Sequence, residues 1–145
     1  MNGSYEKAMK IAKIDDVSSP PNSLVLFSVS YLPSQENKEK AFNFVKSHPD
    51  KITIENTKCG LKLQSFMNDP DCNLTVQQKL EIWSVASKRF IEQAKGDIIA
   101  FVQGADPRSV FSTVELPTIL QNPNIQRING IDKNKFFEQF SVQPK

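Results

Sequence analysis

The feature that most limits the fold is a long amphipathic run, residues 75–95, leading directly into Asp97-Ile98-Ile99-Ala100-Phe101-Val102. In the first segment Leu80, Trp83, Ala86, Phe90 and Ala94 recur at three- and four-residue steps, the period of a helix with one apolar face. Thr75-x-x-Gln78 opens it with the form of a capping box, and Gly96 is the expected stop. The second segment is short and continuously apolar, as in a buried strand. Helix followed by buried strand is the alternation from which α/β sheets are built.

The rest of the chain repeats that alternation. Residues 4–14 form a short amphipathic pattern with Tyr5, Ala8, Met9 and Ala12 on one side, ended by Ser18-Ser19-Pro20-Pro21-Asn22. Consecutive prolines remove backbone donors and break regular structure. Ser23 to Ser30 reads as a buried strand, 36–47 as a helix, Lys51-Ile52-Thr53-Ile54-Glu55 as a short second strand, and 56–67 as a helix beginning at Asn56 or Thr57. Beyond Val102, Gly104 to Pro107 is a loop, 114–121 a short helix or turn around Pro117, Ile125 to Ile131 a last strand, and Lys133 to Phe140 a closing helix. The expected fold is α/β: a mostly parallel central sheet of about four strands flanked by helices, with a short helical N-terminal segment. Residues 1–22 divide as a helical leader and 23–145 as the domain.

Composition excludes several functions. A net charge of +2 gives no field directed at nucleic acid or anionic lipid. No apolar run reaches membrane-spanning length, and residues 1–16 lack the apolar centre of a secretory signal. Two cysteines, Cys59 and Cys72, and one histidine, His48, supply no familiar zinc set. The cysteines either pair or stay reduced, and so few thiols fit a cytosolic setting. Asn73-Leu74-Thr75 matches a glycosylation acceptor, but Thr75 is better explained as the helix cap. Glycine-rich phosphate cradles and the G-x-S-x-G elbow are absent. His48 stands in a Ser-His-Pro-Asp turn that reads as surface.

What remains is acidic and aromatic. Residues just past the carboxyl ends of strands in an open α/β sheet converge on one crevice. Phe27 and Ser28 end the first strand, Glu55 ends the second, and the loop carrying Arg108, Ser109, Phe111 and Glu115 follows the third.

At these positions the sequence resembles the ADP-ribosyl cyclase and NAD glycohydrolase family, with the look of a small bacterial-type or toxin-domain member. The likeness is an ordered series running from about residue 23 to 128. Leu26-Phe27-Ser28 stands where the family has a strand ending in Phe-Trp-Ser, and Ala41-Phe42 matches its next helix. Thr53-Ile54-Glu55-Asn56-Thr57-Lys58-Cys59-Gly60-Leu61 matches Thr-Leu-Glu-Asp-Thr-x-x-Gly-Tyr. Ile82-Trp83-Ser84-Val85-Ala86-Ser87 matches a helix bearing Phe-Trp-x-x-(Ala/Val)-Ser, and Ser109-Val110-Phe111 through Glu115 matches Ser-x-Phe-x-x-(Val/Tyr)-Glu. Phe27 replaces a tryptophan, Asn56 an acid and Val110 a threonine; most of the family's disulfides and its long helical N-terminal portion are missing.

The resemblance implies an NAD nucleosidase that releases nicotinamide and ADP-ribose. Glu115 would be the catalytic carboxylate, Trp83 the aromatic that positions nicotinamide, and Glu55 the acid contacting the carboxamide. Phe27, Ser28, Ser87, Arg108, Ser109 and Phe111 would line the substrate. NAD is then a substrate, and neither cofactor nor metal is required. The alternatives are cyclisation to cyclic ADP-ribose, or a non-catalytic relative that binds nucleotide or a protein. An NAD-depleting toxin or effector would act in the cytoplasm, its own or that of a target cell, and would be paired with an inhibitor or immunity protein.

Overall fold

The computed structural model describes residues 3–27, 36–102 and 111–141. The elements run in the order α1 (Gly3–Ile14), β1 (Val25–Phe27), α2 (Glu36–Ser47), a 3-10 turn (Ile54–Asn56), α3 (Lys58–Met67), α4 (Val76–Glu92), β2 (Gly96–Phe101), a π turn (Phe111–Glu115), α5 (Leu116–Gln121), β3 (Ile125–Ile128), β4 (Ile131–Asp132) and α6 (Lys133–Ser141). The sheet order is β1-β2-β3-β4, with β1, β2 and β3 parallel and β4 antiparallel to β3. This is the α/β architecture expected, a mostly parallel sheet of four strands among helices.

The core forms where α1, α3 and α4 cover the sheet. Ile82, Ala86, Phe90 and Ile91 of α4 are buried with Ile98 and Ala100 of β2 and Ile125 and Ile128 of β3. Burial of each large apolar side chain contributes about 1.5–3 kcal/mol, which sets the packing of α4 on the sheet. The buried stripe of α4 is centred on Ile82, Ala86 and Phe90 rather than on Leu80 and Trp83. Leu80 is exposed and Trp83 half-buried at the margin of the core. Thr75 caps α4 as expected: its Oγ1 accepts from Gln78 N at 3.0 Å while Gln78 Oε1 accepts from Thr75 N at 3.0 Å.

Helix α1 packs onto α3 and α4 through the fully buried Ala8 and Ala12. Small side chains allow the close approach, and Arg89 of α4 fixes the end of the helix by donating to Ala12 O at 2.6 Å and Asp15 O at 2.9 Å. Cys59 and Cys72 are free thiols.

Three sequence expectations are corrected. The second strand over 51–55 shrinks to a single parallel bridge, Leu24 with Ile52, because Asn56 folds back on Thr53 and closes a 3-10 turn there. The strand expected over 125–131 is a hairpin. Asn129 and Gly130 both have positive φ, 54° and 79°, and reverse the chain between β3 and β4. Gly96 does not stop α4, which ends at Glu92 with Gln93 as its cap; it opens β2 with φ +89°, and a Cβ there would lie 2.0 Å from Asn22 Oδ1. Asn22 Oδ1 uses that space to accept from Asp97 N at 2.7 Å.

No helix among the described residues is long and apolar enough to cross a membrane.

Candidate functional site

Glu55 is held by backbone geometry. Asn56 Oδ1 accepts from Thr53 N at 2.8 Å and from Thr53 Oγ1 at 3.2 Å, fixing the 54–56 turn. Thr57 caps α3, its Oγ1 accepting from Gly60 N at 3.0 Å. Gly60 then lies directly on the turn: a Cβ at this position would come within 1.9 Å of Ile54 O and 2.8 Å of Glu55 Cα. Gln64, one turn on, donates to the carbonyl of Glu55 at 3.0 Å. The spacing of Glu55, Thr57 and Gly60 is thus a device for seating α3 against the residue that carries the carboxylate.

Glu115 arrives from the other side of the sheet order. The π turn Phe111–Glu115 runs into α5, with Pro117 in the first turn and Thr118 Oγ1 donating to Val114 O at 2.7 Å. At 7 % exposure Glu115 is buried, and it makes no capping bond to α5. Among the described residues its side chain accepts from Ser87 of α4, itself 4 % exposed. Among the described residues, Glu115 Oε1 has no hydrogen-bond partner, and neither has Glu55 Oε1.

Orphaned oxygens in low dielectric disfavour charge. Burial pushes the Glu115 carboxyl up to about 8, Ser87 opposes the rise by stabilising the anion, and the negative charge of Glu55 adds to it. Burial also raises Glu55, opposed by its own backbone N–H, by Thr53 and by the ammonium of Lys38. Two carboxyl groups from distant parts of the chain therefore share one poorly solvated region, each resisting ionisation.

Three of the residues singled out in the sequence are brought together: Glu115, Ser87 and Glu55. Trp83 stands one turn before Ser87 on the same edge of α4, since residues four apart neighbour one another on a helix. A cavity of about 390 Å³ opens beside Glu55, lined among others by Phe42, Thr53, Asn56, Leu61 and Gln64. A second, of about 290 Å³, lies between α2, the end of β2 and α6, with Phe101, Asn129 and Phe136 on its walls. Neither Trp83 nor Glu115 lines either cavity. Phe27 lines neither; its ring meets that of Phe42 edge-on, with centroids 5.6 Å apart and planes at 87°. Ser28, Arg108, Ser109 and the side chain of Phe111 lie outside the described residues. Among the described residues no cluster of three or more His, Cys, Asp or Glu could hold a metal.

In the sequence Phe42 is matched to the family only as part of the Ala41-Phe42 helix segment, with no role at the site, and nothing in the pattern marks it as facing a cavity. Gln64 is not singled out. Gln64 was detectable in principle, one turn beyond Gly60 on a helix seated against Glu55.

No protein-family model matches the chain, and no curated protein matches it in sequence. Solved structures match it in three dimensions. Aplysia cyclase, complexed with substrate NGD and product cGDPR, superposes over 75% of this chain and 48% of its own at 20% identity, with a TM-score of 0.54. A CD38 structure bearing on the catalytic mechanism of that enzyme superposes over 86% and 63% at 18% identity, with a TM-score of 0.55. Porcine CD38 with a covalent intermediate, ribo-F-ribose-5'-phosphate, superposes over 96% and 79% at 19% identity, with a TM-score of 0.53. The chain spans about half the length of the Aplysia enzyme. With its parallel sheet, the capped 54–56 turn and the Ser87–Glu115 pair in place, the chain has the fold of ADP-ribosyl cyclase and CD38.

Proposed function

We propose that this chain cleaves the nicotinamide–ribose bond of NAD and releases nicotinamide and ADP-ribose. The observation that carries the reading is the carboxyl pair, Glu115 buried and Glu55 half-buried, with an oxygen on each that has no partner among the described residues and Ser87 bonded to the first. Nicotinamide departs from NAD as a neutral molecule, so bond breaking needs no general acid, in contrast to ordinary two-carboxylate glycosidases. The demand is for negative charge beside the ribose as it becomes an oxocarbenium ion. A carboxylate in a dry site answers that demand better than one in water.

A carboxyl that titrates near 8 is mostly protonated in the empty protein at neutral pH. The pyridinium of NAD brings a positive charge to the same region, and an opposite charge nearby favours the ionised form. Substrate binding and ionisation of Glu115 are therefore coupled, and the anion forms when the cation that needs it is present. Trp83, on the same edge of α4 as Ser87, would orient the nicotinamide through a cation–π contact of roughly 0.5–2 kcal/mol. Attack by water then gives ADP-ribose; attack by the adenine of the same molecule would give cyclic ADP-ribose. Phe27 and Asn56, where the family has a larger aromatic and an acid, favour the open site and hydrolysis.

Product analysis with NAD tests this directly. Wild-type protein is expected to release nicotinamide with ADP-ribose in excess over the cyclic product, and Glu115→Gln to lose about 100-fold or more, the scale for one preorganised electrostatic group. No nicotinamide from the wild type refutes catalysis; a predominantly cyclic product refutes hydrolysis. A role as an NAD-depleting effector, restrained by an inhibitor protein, predicts growth arrest on expression that Glu115→Gln abolishes.

A further inference from the structure

We propose that the cavity between α2, the end of β2 and α6 binds a purine mononucleotide, with the base among phenylalanine rings and the phosphate at Lys40. The proposal goes beyond the NAD-cleaving reading and does not depend on it. Asn129 makes the cavity. Its Oδ1 accepts from Ala100 N at 2.8 Å and its Nδ2 donates to Ala100 O at 2.9 Å, so one side-chain amide takes the place of a strand neighbour. At the same residue the backbone, with φ 54°, turns away into β4. β2 therefore runs on past β3, and Phe101 and Val102 stand at its carboxyl end, lining an opening that has Phe136 and Phe140 of α6 on its walls. The crevice outside the carboxyl ends of the strands is where open α/β sheets bind their ligands.

The walls have the chemistry of a base site. Phe136 and Phe140, one turn apart on α6, hold their rings nearly parallel, at 13° with centroids 6.0 Å apart. Phe101 is braced by Phe44 of α2, which does not line the cavity; those centroids are 5.8 Å apart with planes at 58°. Ring pairs at such distances favour defined orientations, so the apolar faces are set before a flat ligand arrives. Two amides stand among them, Asn37 of α2, only 7 % exposed, and Gln139 of α6. A carboxamide offers both donors and an acceptor, matching the mixed donors and acceptors on the edge of a purine. Lys40 adds a positive charge, and no acidic residue is among the described residues that line the cavity. A neutral base carrying an anion suits that balance, and a cation does not. At about 290 Å³ the cavity stands at the lower end of small-molecule sites, roughly 300–1,000 Å³, with room for one nucleotide rather than two.

Calorimetry with adenosine monophosphate and with adenosine, on the wild type and three variants, tests the site. The wild type is expected to bind the nucleotide more tightly than the nucleoside. Lys40→Gln should weaken the nucleotide about 2- to 5-fold, the range of a solvent-exposed charge pair, and leave adenosine unchanged. Phe140→Leu should weaken both by roughly fivefold or more, the scale of one base–aromatic stack. Gln139→Leu alters an exposed side chain and should weaken both while keeping the urea midpoint, so the test holds even if Phe140→Leu fails to fold. No binding of the nucleotide by the wild type, or unchanged affinity for it in Lys40→Gln or Gln139→Leu, overturns the proposal. Kinetics then identify the source of the nucleotide. If the adenosine half of NAD enters the cavity, Lys40→Gln raises KM for NAD but not for nicotinamide mononucleotide, and adenosine monophosphate competes with NAD. If a free nucleotide enters it, KM for NAD is the same in Lys40→Gln while the calorimetric differences remain. A wild type that binds the nucleotide but releases no nicotinamide removes the NAD-cleaving reading and leaves this site standing.

Discussion

The charge of Glu55 raises the proton affinity of Glu115, although the two residues lie far apart in the sequence and on different turns. Coupling of this kind makes each carboxyl group a reporter on the other, and its effects can be read in stability as well as in rate.

Stability gives the first prediction. The carboxyl of Glu115 titrates near 8 when folded, against 4.5 for a freely solvated glutamate, so the folded state holds its proton more tightly than the unfolded chain. Its contribution is fully present below about 4.5 and is lost progressively as pH rises to about 8. Glu115→Gln carries no such loss. Urea titrations from pH 5 to 9 should show the variant gaining on the wild type through this window, by a few kcal/mol in order of magnitude at its upper end. A difference that does not change with pH would contradict the burial described here.

Removal of the neighbouring charge moves the titration. In Glu55→Gln the repulsion that lifts Glu115 is gone, so the ionised form of Glu115 becomes accessible at lower pH. The pH profile of kcat/KM for nicotinamide release should rise through its midpoint at lower pH than in wild type. A shift in the alkaline direction would separate the two carboxyl groups.

Ser87→Ala acts with the opposite sign. Ser87 stabilises the Glu115 anion, and a hydrogen bond to a charged group is worth about 1.5–3 kcal/mol. Without it the carboxyl titrates at still higher pH, and nicotinamide release at pH 7 should fall about tenfold while recovering in part at pH 9. Uniform loss at every pH would assign Ser87 another role.

Gly60→Ala tests how Glu55 is seated. A methyl group here collides with backbone rather than with a flexible side-chain tip, so α3 must move off the 54–56 turn. Overpacking of this kind costs about 1–3 kcal/mol, measurable as a lower urea midpoint. Activity should fall more than the stability loss explains, because Glu55 shifts with the turn. Full activity in a destabilised Gly60→Ala protein would show that the position of Glu55 is not critical.

Much of the fold was legible because local signals agreed with one another. The Thr75–Gln78 capping box, the apolar run of β2 and the Thr57 start of α3 each pointed to the element found. The 51–55 segment misled because its polar and apolar residues alternate as in a strand, while Asn56 offered Thr53 a local hydrogen bond that closed a turn first. The hairpin at Asn129-Gly130 was readable, since that dipeptide between apolar residues is a strong turn signal, but the continuous spacing of isoleucines concealed it. For the site, sequence order placed Glu55, Ser87 and Glu115 on elements that converge. It could not show that Phe27 stands behind Phe42, because only side-chain packing decides which of two aromatic rings meets a cavity.

The wide turn that delivers Glu115 sets a limit on how this region can change. One residue inserted or deleted between 111 and 118 would swing the following side chains by about 100° around the helix axis, the angular step per residue of an α-helix. Glu115 would then be aimed away from Ser87 while the apolar residues of α5 lost their places in the core. Functional descendants of this chain should therefore vary in the identity of residues 112 to 114 long before they vary in their number.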